Sequence, residues 1–274
     1  MCRTAGLAVG IGLLTLSGVW AQETGEKSGE AGQEAPSEID PEALAILKKM
    51  SDFVRGETYI SVLYDTSIEA MTTEGHKIQF NSSSELLLHR PGKIRLSRSG
   101  GYAEYEIVYD AQTFTIFDNF HNTYVQEPMT ASVDEIVDRV ENELKIELPG
   151  TDILMSNPYE MLSEGLLKAE HIGRGVIDGI MCEHLMFRYQ DIDVQLWVAS
   201  DKEPIPEKYV ITNKTIQAEP QYTFEIRHWR KVDEIPDYSF VFEPPDAAEK
   251  ILISQLSPIG EIPPESVMGE EDAN

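Results

Sequence analysis

The sequence has little cysteine and little positive charge. Its 274 residues include two cysteines, Cys2 and Cys182, and 22 Lys and Arg against 48 Asp and Glu, which gives a formal net charge of −26. A surface of that sign repels phosphate backbones, which excludes nucleic acid as a partner. We interpret the charge as a source of solubility rather than as a recognition feature.

The sequence also lacks the motifs that accompany catalysis. It contains no Gly-x-Ser-x-Gly stretch, no glycine-rich phosphate loop and no dinucleotide-binding fingerprint. Its six histidines are scattered without paired helical spacing, and the twelve-residue loop that binds calcium is absent. The sequence therefore favours a protein that is not an enzyme and needs no cofactor.

The first 21 residues have the order of an export signal. One charge, Arg3, precedes an apolar run over Ala5–Val19, and small residues stand where a signal peptidase cuts. The run is shorter than the ~20 apolar residues that cross a bilayer. We therefore predict cleavage of residues 1–21 and a mature protein without a stable membrane anchor. Cys182 then stands alone, so no internal disulfide can form.

The composition divides the rest of the chain into three parts. Residues 22–39 are rich in Glu, Gly, Ser, Ala and Gln, and residues 255–274 are acidic and rich in proline. We expect a disordered acidic linker and a disordered acidic tail. Residues 40–254 have the length of a single domain, with enough residues to hold a core by burial alone.

Three amphipathic helices are indicated by capping residues followed by apolar side chains at helical spacing. They are predicted over 40–56, capped by Asp40; over 132–148, begun by a Ser132–Glu135 capping box; and over 157–167, begun by Asn157. Because each helix has one apolar side, each needs an apolar surface to cover.

Short strands that alternate apolar and polar residues fill the remaining domain. They are predicted at Ile60–Ile68, Ser84–His89, Lys93–Arg98, Tyr102–Tyr109, Thr113–Phe117, Tyr124–Gln126, Ala169–Ile177, Met181–Tyr189, Asp193–Ala199, Glu207–Thr212 and Gln221–Val232. About ten or eleven antiparallel strands with three helices define an α+β fold. A sheet of that size curls towards a barrel.

Several stretches of the chain carry a family resemblance. They are ALAILKKMSDFV at 43–54, KIQFNSSSELLLHRPGKIRLSR at 77–98, KIELPGTDILMSNPYEMLSEGL at 145–166 and IDGIMCEHLMFRYQDIDVQLWV at 177–198, followed by PIPEKYVIT and PQYTFEIRHW. The chain resembles the family of predicted periplasmic proteins known as domain of unknown function 2092. The resemblance extends from Ala43 to about Ile253, nearly the whole predicted domain.

That family in turn resembles the bacterial lipoprotein carriers. The stretches Arg90–Lys93 and Val108–Asp110 stand where the carriers have a strand-turn-strand element and the start of another strand. The resemblance implies an unclosed β-barrel with helices against its concave face, a cavity for acyl chains, a periplasmic location and no catalytic residues. It leaves open whether Arg55 or Arg98 corresponds to the arginine that pins the lid helices in some carriers.

Aromatic and leucine side chains in the strands are candidates to line such a cavity. They are Tyr64, Leu88, Leu96, Tyr105, Phe114, Phe117, Trp197, Tyr222 and Phe224. Alternation sends only about half of each strand to one face. Packing as an ordinary core is the alternative for each of them.

The hairpin around Asp178-Gly179 holds the most site-like cluster of polar residues. A two-residue turn there places Gly175 opposite Cys182. His171, Cys182 and His184 would then project from one face, as a weak candidate for a zinc site. The alternative is a buried cysteine that acts as a small hydrophobe beside two ordinary sheet histidines. We predict no metal on balance.

Together these features favour a non-catalytic periplasmic binding protein for a hydrophobic ligand: a lipid, an acyl chain or a lipidated protein. The alternative is an envelope sensor or adaptor that binds another protein through the same barrel. In that case side chains would fill the interior of the barrel.

Overall fold

The structure is a computed structural model that describes residues 38–72, 74–146, 148, 152–257, 259, 260 and 262. Its helices are α1 (Pro41–Gly56), α2 (Val133–Asp138) and α3 (Pro158–Ser163). Its strands are β1 (Tyr59–Met71), β2 (Lys77–His89), β3 (Lys93–Gly100), β4 (Glu104–Tyr109), β5 (Thr113–Asp118), β6 (Thr123–Pro128), β7 (Lys168–Ile177), β8 (Ile180–Arg188), β9 (Ile192–Ala199), β10 (Pro206–Asn213), β11 (Gln221–Arg230) and β12 (Glu249–Lys250).

These twelve strands form one sheet in the order β12-β6-β5-β4-β3-β2-β1-β11-β10-β9-β8-β7. Neighbouring strands are antiparallel except β12 and β6, which run parallel. Strands from both halves of this order contribute to one core cluster, so the sheet curls around it without closing. The predicted α+β fold is confirmed. The structure has one strand more than the sequence predicted. This strand is β12, and its two residues are too few to show alternation.

α1 packs against the concave face of the sheet at β7 to β9. The Asp40 carboxylate accepts a hydrogen bond from the Glu42 backbone N–H at 2.8 Å, and Pro41 occupies the first helical position, as predicted. The apolar residues of α1 recur at helical spacing and point into the core. Those that are completely buried are Ala43, Leu47, Met50 and Val54.

The second helix is shorter than predicted. The capping box is present, with the Ser132 backbone N–H donating to the Glu135 carboxylate at 2.7 Å. α2 nevertheless gives way to one π-helical turn, in which the Leu144 N–H donates to the Arg139 carbonyl. The predicted range of 132–148 is wrong at its C-terminal end, because the helical segment stops at Glu143 and Lys145 has a φ of +57°, which does not continue a helix.

The third helix also differs from its predicted range of 157–167. The Asn157 side chain makes no capping hydrogen bond. Gly165 has a φ of +69°, a conformation that ends helices, and the Leu167 N–H then donates to the Arg188 carbonyl at 2.8 Å as the chain enters the sheet. None of the helices within the described ranges is long and apolar enough to span a membrane.

The ordered domain extends beyond both predicted boundaries. Glu38, assigned to the linker, accepts a hydrogen bond from the Ala169 backbone N–H at 3.0 Å, and Ile39 forms a β-bridge with the same residue. Leu256 and Ile259, assigned to the tail, pack against the core. Backbone pairing and apolar burial hold these residues in the domain. The predicted export signal lies outside the described residues.

Truncation of a buried α1 side chain tests how firmly this helix is packed. Leu47→Ala should lower the free energy of unfolding by about 2–5 kcal/mol, because Leu47 is completely buried. Urea denaturation followed by circular dichroism measures the change. Leu252→Ala removes the same atoms from a side chain that is 70% exposed and should change stability by less than about 0.5 kcal/mol. Equal effects of the two substitutions would contradict the packing of α1.

Candidate functional site

Strand pairing arranges the concave-face side chains of β1 to β5 in rows. Residues directly opposite each other in neighbouring antiparallel strands point to the same face. The first apolar row is Ile60, Leu88, Ile94, Tyr109 and Phe114, and the second apolar row is Val62, Leu86, Leu96, Ile107 and Ile116. All of these side chains are buried. The two rows form a continuous apolar surface across five strands.

α1 belongs to the same hydrophobic cluster as both apolar rows. Near its C-terminal end Phe53 packs against Trp229 of β11, with ring centroids 5.8 Å apart. Its Ser51 hydroxyl accepts a hydrogen bond from the Tyr159 backbone N–H of α3 at 3.1 Å. α1 is therefore held both by apolar burial and by hydrogen bonds.

The nine predicted cavity residues divide between the two faces of the sheet. Those in the concave core cluster are Tyr64, Leu88, Leu96, Tyr105, Phe114, Tyr222 and Phe224. Phe117 and Trp197 point to the opposite face, because each is adjacent along its strand to a residue of that cluster. Phe117 packs against Phe242 there, and Trp197 stacks on His184. Those two were wrong as residues of a concave cavity.

Side chains fill the concave side of the sheet. Several of the largest fully buried side chains of the protein lie there: Tyr64, Tyr105, Tyr109, Tyr209, Phe114, Phe187 and Phe224. Of the two alternatives for these residues, the structure therefore presents a packed core. Contact with a ligand stays a prediction for the seven candidates on this face.

Arg90 fastens the segment before α3 to the end of β2. Its guanidinium donates to the Leu154 carbonyl at 2.6 Å, to the Met155 carbonyl at 3.3 Å and to the Ser156 hydroxyl at 3.2 Å. Charge-assisted bonds from a planar guanidinium are strong and directional. Arg90 therefore acts as a clamp between the sheet and the helical cover.

Neither arginine considered from the sequence makes this contact. Arg55 is exposed on α1 and pairs with Asp52 at 3.7 Å. Arg98 is buried on β3 and donates to the Thr66 hydroxyl at 2.6 Å. Sequence reasoning treated Arg90 only as the start of a turn, since its partners lie 64 to 66 positions away along the chain.

The hairpin of β7 and β8 has the predicted register around its turn, with Gly175 opposite Cys182. A β-bulge at Ile172 then turns His171 to the face opposite His184. The weak candidate for a zinc site is not assembled, because the bulge leaves its three side chains on two faces. Within the described ranges, no group of three or more His, Cys, Asp and Glu side chains is placed to hold a metal ion.

His184 and Cys182 of that candidate cluster pack against neighbouring residues of the sheet. His184 stacks on Trp197 with ring centroids 4.2 Å apart, and Gly175 fits beneath the indole, since a Cβ there would lie 3.1 Å from its nitrogen. Cys182 is fully buried, and burial raises the pKa of its thiol to about 11. The reactive thiolate is therefore scarce at neutral pH.

Glu207 is a buried acid that sequence reasoning assigned only to a strand. It lies at a bulge of β10 and is 5% exposed. Burial raises the pKa of its carboxyl group to about 7, and the nearby charges of Asp201 and Asp178 act in the same direction. Glu207 is therefore a buried carboxyl group whose protonation changes near neutral pH.

Two open grooves of about 520 and 630 Å³ lie largely on the opposite face of β1 to β3. Their walls are mostly charged and hydroxyl side chains that pair across strands. Asp65 binds Arg227 at 3.0 Å, and Arg95 binds Glu106 at 2.7 Å. Because pockets for apolar molecules are lined mainly by apolar side chains, the concave face remains the candidate site.

The chain is thus an unclosed, curled sheet with an amphipathic helix packed against its concave face. The chain belongs to the family of predicted periplasmic proteins (DUF2092), whose profile matches residues 43–254. The family resemblance stated from the sequence is therefore confirmed.

Solved structures similar to this chain have low sequence identity to it. An uncharacterized conserved protein from Thermus thermophilus is 11% identical, with a TM-score of 0.43 over 77% of this chain and 99% of that one. The lipoprotein LppX from Mycobacterium tuberculosis is 13% identical, with a TM-score of 0.37 over 72% and 100%. A LolA superfamily protein from Nitrosomonas europaea is 14% identical, with a TM-score of 0.35 over 73% and 97%. Among curated proteins, none matches significantly.

Removal of the Arg90 guanidinium tests the clamp. Arg90→Gln should speed backbone amide exchange in 152–163 about tenfold or more, because charged hydrogen bonds of this kind contribute about 1.5–3 kcal/mol. Exchange measured by mass spectrometry locates the effect. Arg95→Gln is the matched control, since Arg95 donates to the carbonyls of Ser239 and Val241. It should loosen 237–242 instead, and equal exchange of 152–163 in both variants would refute the clamp.

The carboxyl group of Glu207 should make stability depend on pH. Its folded-state pKa of about 7 lies above that of the unfolded chain, so its favourable contribution is complete below about pH 4.3 and is lost as pH rises through 7. The free energy of unfolding of Glu207→Gln, relative to that of wild type, should rise by on the order of 3 kcal/mol between pH 4 and pH 8.

Urea unfolding of both proteins at pH 4, 6 and 8 measures that gain. Glu234→Gln, which removes an exposed carboxylate, is the control and should show a difference from wild type that barely changes with pH. A pH-independent difference for Glu207→Gln would show that the carboxyl pKa is the same in the folded and the unfolded chain, and would contradict the raised pKa of Glu207.

Proposed function

We propose that this protein is a non-catalytic periplasmic binding protein for a hydrophobic ligand: an acyl chain, a lipid or a lipidated protein. The observation that carries the proposal is the pair of apolar rows on β1 to β5, which share one core cluster with the apolar face of the amphipathic helix α1. The family description supports a periplasmic location. The predicted export signal over residues 1–21 provides the route to that compartment.

In the proposed mechanism α1 is a lid that leaves the core cluster when ligand enters and so opens the way to the apolar rows. The helix ends at Gly56, where a short connection leads into β1, so this connection is the natural hinge. The polar attachments of α1 are few, and one of them is the long contact of the Lys49 ammonium with the Asp201 carbonyl at 3.5 Å. The apolar chain of the ligand would take the place of the helix.

The free energies involved are compatible with this exchange. Uncovering Leu47, Met50 and Val54 costs about 1.5–3 kcal/mol for each side chain, or roughly 5–9 kcal/mol together. Burying a sixteen-carbon acyl chain returns ~0.8 kcal/mol per CH₂, or roughly 12 kcal/mol. One long chain therefore offsets the loss of the helix contacts, and a ligand with two or three chains binds tightly.

Native mass spectrometry of the protein purified from the periplasm tests the proposal directly. We expect adducts with the masses of lipids or lipidated peptides that disappear after extraction with organic solvent. The extracted protein should then bind a fluorescent fatty-acyl probe and release it to unlabelled acyl chains. If no lipid co-purifies and no probe binds, the proposal fails, and an adaptor with a filled interior becomes the better account.

A single tryptophan can report whether α1 moves. After loss of Trp20 with the signal, Trp197→Phe leaves Trp229 as the one indole, in contact with Phe53 of α1. Acyl-chain binding should shift the emission of Trp229 as Phe53 departs. The reciprocal variant Trp229→Phe keeps Trp197 on the opposite face and should show no shift. Binding with no change at Trp229 would contradict displacement of the lid.

A further inference from the structure

The outer side of β7 is an open edge of the sheet. β7 stands last in the strand order, and β8 is its neighbour on the inner side. Residues 38–40 cover the start of the outer side, where the Asp40 backbone N–H donates to the Ala169 carbonyl at 3.0 Å. Beyond His171, whose N–H donates to the Asp40 carboxylate, no strand of the described ranges pairs with this side of 172–177. These residues therefore present backbone groups to which another strand can be added.

The hairpin of β7 and β8 also exposes apolar side chains. Ile172 is 53% exposed, Val176 59%, Ile180 38% and Met181 50%. Among the described residues, no other hairpin exposes as many large apolar side chains. Val176 lies opposite Met181, so these two form one short apolar row that ends at the open edge. An edge with exposed apolar side chains and no proline is suited to strand addition.

The two-residue turn between Ile177 and Ile180 determines which backbone groups of β7 face outward. Ile177 and Ile180 flank this turn and bond to each other, and bonded and unbonded positions alternate along the strand from there. Val176 and Arg174 therefore direct their N–H and C=O groups away from β8. A strand added to this edge would bond to these two residues.

We infer that two copies of this protein pair antiparallel along their β7 edges, with a two-fold axis at Val176. Val176 of one copy then lies opposite Val176 of the other, and the apolar rows of both copies join into one row across four strands. The same register places Arg174 of each copy next to Asp178 at the turn of the other copy. Opposite charges therefore meet on both sides of the axis. The inference concerns a partner and does not rest on the proposed function.

Charge selects this register among the two-fold arrangements of the edge. The Arg174 side chain is 67% exposed, and its Nε donates to the Glu183 carboxylate at 3.0 Å, while a guanidinium has further N–H donors for a second acid. Asp178 is exposed. An axis at Arg174 would place like charges opposite each other. An axis at Gly175 would end each apolar row against an arginine of the other copy.

The composition of the terminal segments favours a second copy over a strand from the same chain. Residues 22–37 contain no large apolar side chain. Residues 263–274 contain Val267 and Met268 side by side, which in a strand would point to opposite faces. Neither segment has the alternating apolar residues that would continue the row of Val176 and Met181.

The size and charge of the two copies make the expected dimer a reversible one. The net charge of −26 repels a second copy at long range, and physiological salt screens this repulsion beyond about 8 Å. The paired edge is short, and small interfaces are typical of weak complexes. We therefore expect the population of the dimer to rise with protein concentration.

Substitutions at the axis test both the dimer and its register. Sedimentation velocity of the wild-type mature protein should show a monomer–dimer equilibrium. Val176→Lys and Val176→Glu each place like charges opposite each other and should weaken dimerisation at least about tenfold. An equimolar mixture of the two variants places opposite charges at the axis and should restore the dimer, because residue 176 faces itself in this register alone. Val176 is exposed, so both variants should fold as wild type does.

A substitution elsewhere on the surface is the matched control. Ile216→Lys adds the same charge at an exposed β-branched residue between β10 and β11 and should dimerise as wild type does. Wild type that stays monomeric at every soluble concentration would overturn the inference. Dimerisation of Val176→Lys as strong as that of wild type, or a mixture of the two variants that stays monomeric, would overturn this pairing.

Amide hydrogen exchange separates a second copy from another part of the same chain. Peptides that cover 172–178 should exchange slowly at high protein concentration, because Arg174 and Val176 are then hydrogen-bonded to the other copy. They should lose this protection on dilution. Protection that does not depend on concentration would show that the chain covers its own edge, and would overturn the inference.

Discussion

The burial of α1 against the concave face is the interaction on which the rest of the structure depends. Twelve strands form a sheet that is apolar on this face and does not close on itself, so water would reach the apolar rows without a cover. α1, a 16-residue helix packed against β7 to β9, supplies part of that cover, and apolar residues of α2 and of 152–154 belong to the same cluster. Asp40 fixes both its start and its position, since it caps the helix and also accepts the His171 backbone N–H on β7 at 3.2 Å.

The cover is attached in two different ways, and the difference bears on function. α1 is held in part by non-directional apolar burial, which a ligand of similar polarity can replace. The segment before α3 is held by Arg90 through directional, charge-assisted bonds, which an acyl chain cannot replace.

Individual residues show where sequence reasoning succeeded and where it stopped. The Asp178-Gly179 turn and the Asp40 cap are local features, and both were predicted correctly because turn and cap chemistry depend on a few adjacent residues. The bulge at Ile172 moved His171 away from Cys182, and no adjacent residue announces it. Phe117 and Trp197 were chosen as cavity residues because they are aromatic. Strand register decides which face of the sheet a side chain occupies, and it places both on the opposite face.

The sequence by itself determined the class of fold, the family and the amphipathic character of the helices, because alternation and caps are properties of neighbouring residues. Tertiary structure alone decided that β2 extends back through a polar serine run, since pairing with β1 outweighs its weak alternation. It also decided that Arg90 reaches Leu154 and that Arg98 lies among hydroxyls on the concave face. These contacts join residues far apart in the chain, and only the packed strands bring them together.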